Sequence, residues 1–96
     1  MSEEKSAYEE KIRARINERA AEIAQLKAKM DQKKADAKLE YQKRLEDMER
    51  HKNTLESKLD KLSEASGSAL EELKTGISDA WDRFSESVDE ARKELK

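Results

Sequence analysis

One histidine, His51, stands in this 96-residue chain. Imidazole is the side chain whose ordinary titration falls near neutral pH, so acid–base or metal chemistry would centre there. Asp47 lies four residues before it and Leu55 four after, on the same side of a helix. A carboxylate-bridged metal site of the ferritin-like kind needs Glu-x-x-His on each of two helices. Met48 occupies the position three before His51, so that pattern is missing. Zero Cys removes thiolate nucleophiles, cysteine metal sites and disulfides. A nucleophilic triad has no support in one His and no Cys. The two glycines, Gly67 and Gly76, make no phosphate-cradling loop. Paired carboxylates occur throughout, but among so many lysines and arginines they read as a solvated face. His51 reads the same way. Neither catalysis, a cofactor nor a metal is expected.

Binding chemistry is equally sparse. The basic run Lys27, Lys29, Lys33, Lys34 and Lys38 is offset by Asp31 and Asp36, and it lacks interleaved aromatics. The whole chain carries −2, the opposite of a nucleic-acid footprint. Nucleic acid is therefore not an expected partner. A lipid surface is the alternative reading, through a broad apolar face near the C-terminus that holds Trp81 and Phe84. The polar side of that face is acidic and would be repelled by anionic lipids. The N-terminal Met1-Ser2-Glu3-Glu4-Lys5 is polar with no apolar run behind it, so a cytoplasmic protein is expected.

These side chains are positioned by helices. No Pro and only two Gly interrupt the chain, while 46% of residues are charged and 34% hydrophobic. Pro and Gly are the strongest helix interrupters. A composition rich in Ala, Glu, Lys, Leu and Arg with helical periodicity marks long helices and coiled coils. Residues 1–6 read as a frayed tail, and Ser6-Ala7-Tyr8-Glu9 as a capping box. A first helix is predicted over 7–65, about 90 Å long if continuous. The patch Ser66-Gly67-Ser68 is the predicted turn, with Gly67 able to take the left-handed conformation that ends a helix. A second helix is predicted over 69–95, opened by the box Ser68-Ala69-Leu70-Glu71.

The apolar seam of the first helix alternates steps of four and three. It runs through Ile12, Ile16, Ile23, Leu26 and Met30, with Arg19 filling one slot. It resumes at Leu45, Met48, Leu55, Leu59 and Leu62, with Lys52 in the gap. Between the blocks, Lys33, Ala37 and Tyr41 fill the facing positions. Three consecutive steps of four there shift the phase, so 31–41 is the place for straightening, splaying or a hinge. In the second helix Leu70, Leu73, Ile77, Ala80, Trp81, Phe84, Val88, Ala91 and Leu95 make a stripe wide enough for more than one neighbour. Glu9–Arg13, Glu40–Arg44, Glu46–Arg50, Asp79–Arg83 and Asp89–Lys93 stand four apart with the acid first, the favourable order. Residues 1–63 hold 16 basic and 14 acidic groups, and residues 64–96 hold 5 and 9. An acidic second helix thus suits a mildly basic first one.

The fold class that follows is all-α: a long helix plus a shorter antiparallel one, a helical hairpin assembled into an oligomeric coiled-coil bundle. The second helix spans about 40 Å. Folded back, it reaches from Leu62 to about Ala37 and leaves Ile12, Ile16, Ile23, Leu26 and Met30 uncovered. Burying a Leu-sized side chain stabilises by about 1.5–3 kcal/mol, which favours self-association. The expected partner is a second copy of the chain, with a homodimer of antiparallel long helices preferred. Tyr41, Trp81 and Phe84 are the expected aromatic anchors, with Leu73, Ile77 and Val88 completing the seam.

The C-terminal two-thirds carry distinctive segments. Ala35-Asp36-Ala37-Lys38-Leu39-Glu40-Tyr41 leads to Lys58-Leu59-Asp60-Lys61-Leu62, then Ala65-Ser66-Gly67-Ser68-Ala69, Leu73-Lys74-Thr75-Gly76-Ile77 and Ala80-Trp81. Over roughly residues 30–90 the chain resembles a family of small bacterial coiled-coil proteins labelled stress-response proteins. The resemblance implies a bacterial, stress-linked, structural role, and brings no catalytic or ligand residues with it.

Overall fold

The computed structural model describes residues 2–94. It is all-helical: α1 spans Ser2–Asp31, α2 Ala35–Asp60 and α3 Gly67–Glu94, with a short 3-10 turn at Leu62–Glu64. The three helices stack into a rod of 51 × 18 × 17 Å. A 30-residue helix is about 45 Å long, so each helix runs nearly the length of the rod. The side-chain ties fix the directions. Arg13 meets Asp60 and Lys27 meets Glu49, so α1 and α2 are antiparallel. Tyr41 reaches Glu94, so α2 and α3 are antiparallel. Arg19 reaches Ser85 and Asp89, which sets α1 parallel to α3.

The predicted first helix over 7–65 is thus divided and shortened. It begins at Ser2, before the Ser6 box, because nothing in Ser2 to Lys5 stops a helix. Glu4 also suits the positive end of the helix dipole. The tail predicted over 1–6 is therefore helical from Ser2, and Met1 lies outside the described residues. The helix breaks at residues 32–34, at the edge of the phase-shifted stretch. Gln32 N–H donates to Lys29 O at 3.1 Å and Lys33 N–H to Met30 O at 2.9 Å, closing the last turn of α1 tightly. Lys34 is extended (φ −69°, ψ 158°) and provides no side-chain cap to α2.

Burial, not local propensity, makes that break. The α1 seam folds onto α2 and α3, and Ile12, Ile16, Ile23 and Leu26 fall to 7% exposure or less. At about 1.5–3 kcal/mol per side chain, this outweighs a few helical hydrogen bonds contributing about 1 kcal/mol each. The premise for a required partner, an α1 seam left uncovered, does not hold within this chain.

The second connection is also shorter in helix than predicted. α2 stops at Asp60, and the 3-10 turn carries Leu62 into the core at 0% exposure. Ala65 is extended, and Gly67 opens α3 with φ +59°. Gly67 therefore takes the left-handed conformation at the start of a helix rather than just past the end of one. Leu70 N–H donates to Ser66 O at 3.3 Å, so α3 starts before the predicted Ser68 box. Leu95, the last predicted stripe residue, lies outside the described residues.

The two glycines make opposite predictions. A Cβ at Gly67 would meet nothing within 4 Å, but its φ disfavours any L side chain. Gly67→Ala is expected to cost about 1–2 kcal/mol from backbone conformation alone, read as a lower urea midpoint. Gly76 lies inside α3, and a Cβ there would meet only the Lys58 side chain, at 3.5 Å from Nζ. Gly76→Ala is expected to stabilise by up to about 1 kcal/mol through helix propensity. A Tm that fell instead would mean that α2 and α3 need the missing methyl to approach.

Candidate functional site

Among the described residues, fourteen apolar side chains form one continuous core along the rod axis. α1 contributes Ile12, Ile16, Ile23 and Leu26; α2 and its 3-10 turn contribute Leu45, Met48, Leu55, Leu59 and Leu62. α3 contributes Ile77, Ala80, Phe84, Val88 and Ala91. Met30, Tyr41, Leu73 and Trp81 pack against it half-buried. The predicted seam residues therefore meet in a single intrachain core. Tyr8 and Leu70 pack against that core as well. Tyr8 was not among the seam residues, although it stands one four-residue step before Ile12, and that spacing is the signal that places it. Trp81 meets Phe84 edge to face, 6.0 Å between centroids. Tyr41 is anchored by its hydroxyl, which donates to Glu94 O at 2.8 Å.

No polar or charged residue is buried among the described residues. Charge forms an outer layer that ties helix to helix. Arg19, in the polar slot of the α1 seam, donates to Glu22 at 2.8 Å, Ser85 at 2.7 Å and Asp89 at 3.1 Å. Partial burial opposes its charge, but Glu22 and Asp89 more than offset this and hold the guanidinium above its ordinary pKa. Arg92 joins the same cluster, 3.6 Å from Glu22. Arg13 bridges Glu9 and Asp60, both at 2.8 Å, and these hydrogen bonds raise its pKa too. Arg44 pairs with Glu94 at 2.6 Å. Lys5 Nζ donates to Ala65 O at 3.0 Å and Ser63 O at 3.3 Å, fastening α1 to the second connection. Two cations also lie over rings: Arg15 over Trp81 at 5.9 Å and Lys74 over Tyr8 at 5.5 Å. Burial pushes the Tyr8 phenol pKa up.

Of the five predicted four-apart pairs, only Glu9–Arg13 forms within 4 Å among the described residues. Arg44 leaves Glu40 for Glu94 on α3, Asp89 leaves Lys93 for Arg19 on α1, and Arg50 turns to Asp47. A same-helix pair contributes only about 0.2–0.5 kcal/mol, so a partner on another helix easily displaces it.

His51 is half-exposed on α2, beside a shallow depression shared with Lys58, Gly76, Asp79 and Arg83. No hydrogen bond or ion pair of His51 is found among the described residues. Thr54, Thr75 and Ser87 donate to carbonyls four residues back in their own helices. These hydroxyls are occupied in backbone bonds rather than set against a base. An open groove runs between α1 and α2, with Met30 and Leu45 in it and both charge signs along its walls. Among the described residues no group of three or more His, Asp or Glu is placed to hold a metal ion. Nor is any described helix long and apolar enough to cross a membrane. Comparison of the chain with protein-family models, curated proteins and solved structures finds no match.

Proposed function

We propose that this chain is a non-enzymatic, cytoplasmic coiled-coil protein of structural or interaction type, self-associating, and stress-associated as the bacterial resemblance implies. One observation carries the reading: no charged residue among those described is fully buried, and the core cluster is wholly apolar. Electrostatic catalysis draws its strength from oriented polar groups in a water-excluded site. Here ionic groups instead join neighbouring helices and leave a surface of mixed sign, which suits a protein that works through its faces and its assembly. Lipid binding through α3 is the weaker alternative, since Ile77, Phe84 and Val88 are 0% exposed and α3 would have to leave the bundle to offer them.

Sedimentation velocity over a range of concentrations, after heating and slow cooling, tests self-association. Mass that rises with concentration supports the reading, and a single-chain mass throughout overturns that part of it. Vesicle co-sedimentation with Trp81 fluorescence tests the alternative: no pelleting and no blue shift are expected. A protein level that rises in its host under heat or osmotic stress would support the stress association, and a flat level would remove it.

A further inference from the structure

We propose that residues 32–34 are a hinge for domain swapping, through which α1 is exchanged with that of a second copy of this chain. The proposal rests on the self-associating reading and specifies its route. The two connections of the bundle differ in kind. The second is built as a turn, with a 3-10 segment, extended Ala65 and a glycine at φ +59°. The first is a stretch of helix that happens to be open. Gln32, Lys33 and Lys34 are good helix formers, and no residue there has positive φ. At Lys34 φ is −69°, already helical, and it is ψ at 158° that is extended.

The opening is poorly finished at both ends. Lys34 offers no side-chain cap, so the first N–H groups of α2 lack the partner that Ser, Thr, Asp or Asn would supply. Lys33, Lys34 and Lys38 crowd the positive end of α2 with only Asp36 to offset them, and Asp31 sits at the negative end of α1, offset by Lys29. Every one of these defects disappears if α1 runs straight into α2. What holds the hinge shut is the burial of Ile12, Ile16, Ile23 and Leu26. A second copy provides the same burial. α1 of one chain lies on α2 and α3 of the other, and Arg13–Asp60, Arg19–Asp89 and Lys27–Glu49 re-form between chains. The swapped dimer keeps the contacts of the closed bundle and repairs the hinge. Its core is two continuous helices over residues 2–60, each about 88 Å long, antiparallel, with α3 packed near each end. Short hinge loops that carry an energetic penalty in the closed chain invite this exchange.

Three full-length proteins test it. In the closed chain Ala35 is the first residue of α2, where Pro is well accommodated, and Lys34 already has the extended conformation that precedes Pro. In a continuous helix the same Pro is strongly disfavoured. Ala35→Pro is therefore expected to keep the monomer's helix content and Tm while raising the dimer Kd by about a hundredfold or more. The triple variant Gln32→Ala, Lys33→Ala, Lys34→Ala is expected to lower the dimer Kd by about tenfold. Because the chain has no Cys, Arg13→Cys with Asp60→Cys gives a unique pair for a short thiol cross-linker. Applied to the isolated dimer fraction, it is expected to yield covalent dimers on a denaturing gel. A dimer that cross-links only within chains and forms as well with Ala35→Pro overturns the swap and leaves self-association standing. No dimer at any concentration, in the wild-type and triple-alanine proteins alike, overturns both.

Discussion

Phe84→Ala is expected to destabilise the bundle by about 3–5 kcal/mol, the range for truncating a buried aromatic. Phe84 is 0% exposed on α3, with Ile77, Ala80, Val88 and Ala91 along the same buried stripe. Its ring also receives the edge contact with Trp81. Helices that pack along their whole length close poorly over a hole, so most of the cavity should persist. A domain of this size is stable by about 5–15 kcal/mol, and the loss removes a large share of that. Urea denaturation followed by circular dichroism and Trp81 fluorescence measures it. Leu59→Ala on α2, also at 0% exposure, should cost about 2–5 kcal/mol by the same mechanism. Midpoints equal to wild type in both variants would mean that these side chains are not in the core.

Ile16→Ala is expected to cost about 2–5 kcal/mol in dilute monomer, and the loss should not change with protein concentration. Ile16 is 2% exposed and lies on α1, the helix whose seam a two-helix hairpin would leave uncovered. If the seam were covered only in an oligomer, the wild-type Tm would climb with concentration and Ile16→Ala would erase that climb. A dilute wild-type protein already missing the stability that Ile16 confers would reject the intrachain packing of α1. This measurement is separate from the hinge experiment, because a swapped dimer and a closed monomer bury Ile16 equally well.

Residue identity made much of the fold legible. Apolar steps of three and four placed Ile12, Leu26, Leu59, Phe84 and Val88 on inward faces before any neighbour was known, since one helical period decides which side chains share a side. Gly67 announced its bend because glycine alone takes φ of +59° without a steric penalty.

Tertiary packing decided the rest. Nothing local at Gln32-Lys33-Lys34 ends a helix, and the break exists because the α1 seam gains more from α2 and α3 than unbroken helix would return. That comparison sets distant groups against each other, so no window of sequence contains it. The ion pairs follow the same rule: Arg19 and Arg44 have acids on their own helices, yet both also reach α3. Helical character and facing are short-range properties, carried by propensity and period. Where a long helix folds back, and whether on itself or on a copy, is settled by buried area summed over the whole chain.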